Sequence, residues 1–117
     1  MDNRFDGAEA LYRAVIPSSS YIKEDGSISS GAFKEKRGLS VDRGDYRSDE
    51  EVVDSMKHRL SGRIAKFSVQ DCFDVEAIPK YLPEENDEYH SEIHKSDTEI
   101  RLSNKQAKHL SRVAKFV

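Results

Sequence analysis

The sequence predicts a single α+β domain: a small antiparallel or mixed sheet of four to five strands with two helices packed on one face. Three observations carry that expectation. Short segments with period-two alternation or β-rich composition, at 10–16, 39–43, 63–69 and 72–78, are punctuated by Pro or Gly. Two longer segments, about 49–61 and 103–115, set apolar residues at helical spacing behind a capping pair. The 117-residue length suits one core, because two cores of half that size would each sit near the lower limit of independent folding.

Residues 1–8 lack periodicity and read as a loosely held lead-in to the domain 1–117. Ala10 to Ile16 is rich in β-formers and stops at Pro17, with Leu11, Arg13 and Val15 on one face and Tyr12, Ala14 and Ile16 on the other. From Ser18 to Gly38 the chain is Ser-, Gly- and charge-rich, with a turn at Glu24-Asp25-Gly26 and apolar anchors at Ile28, Ala32 and Phe33. Leu39 to Arg43 alternates as a short strand. Ser48 with Glu51 opens a helix over about Asp49 to Ser61, whose apolar face is Val52, Val53, Met56 and Leu60.

Two further strands are expected at Arg63–Val69 and Cys72–Ile78, joined at Gln70-Asp71 and closed by Pro79. Residues 80–89 form an acidic loop, kept irregular and flexible by charge and by Pro83. His90 to Lys95 fits either a strand or a helical turn. Ser103 with Gln106 caps a last helix running to about Lys115, striped by Ala107, Leu110, Val113 and Ala114.

Charge narrows the function. The formal balance is −3, from 19 Lys and Arg against 22 Asp and Glu, so nucleic acid or an acidic surface can be held only by a local basic patch. Cys72 stands alone and no apolar run has the length of a membrane span or signal segment, which points to a cytoplasmic protein without a membrane partner. The patch is visible in the last helix, where Lys105, Lys108, Arg112 and Lys115 recur at spacings of three, four and three with no acid among them. An ordinary solvated helix face accounts for the same pattern.

A second set could form a pocket: Arg13, Ser29, Ser30, Ser40, Asp42, Arg43 and His90. Two guanidinium groups with hydroxyls suit a phosphate or carboxylate, and a histidine adds acid-base capacity. Arg13 paired with Asp42, and Ser29 or Ser30 capping a turn, is the plain structural alternative. His90 and His94 could share a metal only on a helix, with Cys72 or Glu88 completing the set, and the pattern is not that of a zinc protease. No Gly-x-Ser-x-Gly elbow, Gly-x-Gly-x-x-Gly or Walker loop occurs, and the sequence calls for neither cofactor nor metal.

Leu-Tyr-Arg at 11–13, Ser-Ser-Gly-Ala-Phe at 29–33, Leu-Ser-Val-Asp-Arg at 39–43 and His-Ser-Glu-Ile at 90–93 resemble a family of small bacterial proteins of unknown function. The resemblance spans most of the chain and implies a bacterial or archaeal, cytosolic origin without an activity. The Tyr-Arg and Leu-Ser-Val strands also resemble those of ADP-ribosyltransferase-type folds, which implies NAD held by an arginine and a serine; no clear catalytic glutamate follows here. The favoured expectation is a non-enzymatic module that binds a protein or nucleic acid through the basic helix and the Ser-rich loop. The competing one is a small enzyme or binder for a nucleotide or phosphorylated ligand, using Arg13, Ser40, Arg43 and His90.

Overall fold

Alternation along each strand sends neighbouring side chains to opposite sides of one sheet, and each side is covered by different elements. The computed structural model describes residues 2–117. Its strands are β1 (Ala10–Val15), β2 (Leu39–Arg43), β3 (Arg63–Ser68), β4 (Ile78–Tyr81), β5 (His90–His94) and β6 (Lys115–Phe116). They lie in the order β4-β5-β2-β1-β3-β6, with every neighbouring pair antiparallel. The helices are α1 (Asp49–Lys57), α2 (Val69–Phe73) and α3 (Asn104–Val113), and Ser30–Phe33 forms a 3-10 turn. This is an α+β domain, with six strands and three helices where four to five and two were expected.

The main core lies on one face. Leu11, Val15, Leu39, Val41, Phe67 and Ile93 of the sheet meet Ala32 and Phe33 of the 3-10 turn, Val69 and Cys72 of α2, and Ala107 and Leu110 of α3. Phe33 meets Phe67 edge to face with ring centroids 5.8 Å apart. On the other face Val52 and Met56 of α1 pack over Tyr12 and Ile64. The two long helices therefore flank opposite faces, which corrects the one-face expectation. Period-two burial at consecutive residues, Ile64 against α1 and Ala65 in the main core, requires a cover on both sides.

The expected strand at Cys72–Ile78 is absent, and a helix takes the place of the hairpin. Ser68 Oγ accepts from the Asp71 N–H while the Asp71 carboxylate accepts from the Ser68 N–H, so a capping box starts α2 where β3 stops. α1 ends at Lys57 rather than Ser61, leaving Leu60 exposed. The last helix also stops early. Ala114 turns extended, and Lys115 and Phe116 pair with Lys66 and Ala65 as β6. His90 to His94 is a strand, and Lys80 and Tyr81 belong to β4.

The sheet has one open seam. β1 registers with β3 over its whole length, but with β2 only at Leu11 opposite Arg43 and Tyr12 opposite Asp42. Toward Arg13 and Ser40 the strands part, while at the other end the Gly44 N–H still donates to the Ala10 carbonyl at 2.8 Å. Arg13 spans the gap, its Nη1 donating to the Ser40 carbonyl at 3.0 Å and its Nε to the Ala32 carbonyl at 3.1 Å. Among the described residues no helix is long and apolar enough to cross a membrane.

Candidate functional site

Two concave surfaces gather the polar residues, and they have opposite electrostatic character. The first is a groove of about 560 Å³ between the Ser-rich loop and the C-terminal segment. Its cations are Lys23, Lys108, Arg112 and Lys115, its hydroxyls belong to Ser27, Ser29, Ser30 and Ser111, and no carboxylate lines it. Lys23 arrives there because Ile22 bridges to Ile28 across the Glu24-Asp25-Gly26 turn, which folds the loop back on itself. All four cations are exposed, and among the described residues none makes an ion pair.

Local hydrogen bonds occupy part of this set. Asp25 accepts from both the N–H and Oγ of Ser27, Ser29 Oγ caps the 3-10 turn by accepting from the Gly31 N–H, and Ser111 Oγ donates to the Lys108 carbonyl. Ser30 makes no side-chain hydrogen bond of its own among the described residues. At the floor, Arg63 stacks over Phe116 at 3.8 Å and holds the ring in place. Lys105 lies outside. It borders a separate depression with Asp74, Glu76 and Glu99, so three of the four cations in the sequence stripe converge and one does not.

The second surface is a cleft of about 440 Å³ at the seam between β1 and β2, lined from both faces of the sheet. Arg13, Ser40, Asp42 and His90 line it, as the sequence suggested. Arg43 does not, and the reason is the strand period: it follows Asp42 directly and so points to the other face. There its guanidinium is buried against Glu9, with Nε to Oε2 at 2.7 Å, and lies 4.2 Å from the Phe5 ring centroid. Ser29 and Ser30 belong to the groove instead.

Within the cleft the arginines are already engaged. Arg13 Nη2 bonds Glu35 at 2.9 Å besides its two carbonyl contacts, and Arg59 donates to Asp42 at 2.7 Å and to Asp87 at 3.2 Å. Burial and the facing Asp87 carboxyl push Asp42 well above its ordinary carboxylate range, with Arg59 opposing them. His90 Nδ1 lies 2.8 Å from the Leu82 carbonyl, which fixes the proton on that nitrogen and leaves Nε2 as an acceptor 3.4 Å from Ser40 Oγ. The ring is thus oriented by a backbone carbonyl, while Asp42 serves Arg59. Ser40, His90 and Asp42 therefore form no Ser-His-Asp relay.

The remaining histidines and cysteine do not join this site. β5 carries His90 and His94 four residues apart, about 13 Å along a strand, and His94 Nε2 bonds Glu92 at 2.9 Å. Cys72 is buried in the main core, where desolvation pushes its thiol up to about 12. The expected Arg13–Asp42 ion pair does not form, because each residue has a nearer partner. Sequence reasoning missed Lys23, Arg59 and Asp87. The turn after Lys23 signalled its return, whereas the long-range partners of Arg59 and Asp87 left no local trace. Comparison of the chain with protein families, with curated proteins and with solved structures finds no match.

Proposed function

We propose that this chain is a binding module that holds the phosphate backbone of a nucleic acid in the groove between α3 and the Ser-rich loop. The single observation behind this reading is the groove's lining, four unpaired cations and the Ser29 and Ser30 hydroxyls with no acid among them. Phosphate oxygens accept from ammonium, guanidinium and hydroxyl donors alike, and each one neutralised releases counterions. The net charge of −3 does not oppose this strongly. Exposed charges more than about 8 Å away are largely screened at physiological salt, so the local patch decides.

A nucleic acid suits the groove better than an acidic protein does. Stable protein interfaces need large apolar anchors, and the exposed large apolar residues, among them Ile16, Leu60, Phe73 and Ile100, all lie outside this lining. Binding is then weak and sequence-independent, in about the 1–100 µM range typical of backbone contacts. Fluorescence anisotropy with a labelled mixed-sequence single-stranded oligonucleotide tests it. Affinity falls with salt at a log-log slope of about −0.7 per phosphate contacted, and Lys108→Glu with Arg112→Glu weakens it at least about tenfold. Binding that ignores salt, or that survives the double charge reversal, overturns the reading.

A further inference from the structure

The cleft at the β1–β2 seam is independent of the groove and has the reverse chemistry. Four carboxylates line it, Glu35, Asp42, Glu84 and Asp87, against two guanidinium groups, Arg13 and Arg59. Arg13 and Glu35 neutralise one another. Arg59 alone faces both Asp42 and Asp87, whose side chains are only 3% and 6% exposed, so with both ionised one buried negative charge has no guanidinium counterpart. Among the described residues Asp42 accepts from Arg59 at Oδ2, and the Asp87 carboxyl is its other side-chain hydrogen-bond partner.

An uncompensated carboxylate in a place this dry costs free energy until a proton or a cation joins it. The walls indicate which cation. Val15, Ile16, Met56 and Leu60 line the same cleft, with Ile16 and Leu60 half exposed, so the space joins an apolar flank to an acidic floor. At about 440 Å³ it is the size of a small-molecule site. A hydrated metal ion gains nothing from the aliphatic wall.

We propose that this cleft binds a small organic cation, an amine or guanidine head on a short aliphatic chain, with the head on Asp42 and Asp87 and the chain along Met56 and Leu60. Binding displaces the proton that the two carboxyls share, and that proton leaves to solvent. The other charged or titratable groups facing the pair are Arg13, Glu35, Arg59, Glu84 and His90.

Calorimetric titration of the full chain with agmatine decides the matter. Saturable agmatine binding is expected, with an affinity that rises several-fold from about pH 5.5 to 8 as the carboxyl proton is released. Asp42→Asn lowers that affinity at least about tenfold. Should Asp42→Asn unfold the chain, Leu60→Lys serves instead, since it sets a fixed cation at the exposed mouth and reduces agmatine affinity to a similar degree without disturbing the core. No saturable heat up to about 10 mM agmatine, or unchanged affinity in Leu60→Lys, overturns the proposal.

Discussion

Arg43 has almost no contact with water, yet every part of its guanidinium has a partner. Nε and Nη2 fork onto Glu9, Nη1 and Nη2 donate to the carbonyls of Asp2 and Arg4, and the Phe5 and Tyr81 rings flank it at 4.2 and 5.0 Å. One residue thereby ties the lead-in to the second strand of the sheet. Replacing it strands a carboxylate that is only 10% exposed, so Arg43→Ala should cost about 3–5 kcal/mol in urea unfolding, and Glu9→Gln about 1–3 kcal/mol because an amide still accepts one bond.

Asp42 illustrates the opposite case, a buried acid that gains too little from its partner. Its carboxyl is pushed up to about 7 by burial and by Asp87, so between about pH 4 and 7 the folded state holds a proton that the unfolded state has lost. Stability must then fall as pH rises through that window, by no more than about 1.4 kcal/mol per unit. Unfolding free energies at pH 5, 6 and 7 check this, with Asp42→Asn expected to flatten the profile. A stability that climbs over the same window contradicts the assigned direction.

At the scale of elements, three capping boxes decide where helices begin. Ser48 with Glu51 and Ser103 with Gln106 were legible because an apolar stripe at helical spacing follows each pair. Ser68 with Asp71 was not, because its helix is five residues long and Phe67 and Val69 continue a strand-like alternation across the boundary. Tertiary burial of Val69 and Cys72, absent from any local pattern, settles that segment as helix. The early end of α3 is similar in kind: the apolar stripe runs on through Ala114, but the open edge of β3 offers hydrogen bonds to Lys115 and Phe116 that a further helical turn would forgo.

A single glycine sets the passage from α1 into β3. Gly62 has φ +105°, and a Cβ there would stand 2.4 Å from the Val15 carbonyl oxygen. Both the backbone conformation and the close approach exclude a side chain. Gly62→Ala should lower stability by more than about 1 kcal/mol, seen as a shifted thermal midpoint, and a neutral outcome would show that β1 and the turn are not held this closely.

Across the whole molecule, the sequence conveyed the α+β class, the positions of β1, β2, β3, α1 and α3, and part of each candidate site. Arg13, Ser40, Asp42 and His90 do meet, since the register of β2 with β5 places Asp42 opposite His90 and the seam brings Arg13 to the Ser40 carbonyl. What the sequence could not convey was occupancy. Two arginines, Arg13 and Arg43, suggested an anion site, but Glu35 and Glu9 already hold them, and in the cleft the surplus charge has the other sign. Four free cations converge instead where the Ser-rich loop meets the C-terminal segment.

The sparse pairing between β1 and β2 also divides the molecule's breathing. β1, β3 and β6 form one hydrogen-bonded leaf and β2, β4 and β5 another, joined through two residue pairs, the Gly44 N–H on the Ala10 carbonyl and the Arg13 bridge. Native-state amide exchange should therefore sort into two protection classes, slowest at Leu11 to Ala14 and Ile64 to Phe67, with the second leaf opening first. Arg13→Ala should widen the gap between the classes while leaving the slowest amides almost unchanged. A chain whose amides all exchange by a single global opening would show that the leaves are welded.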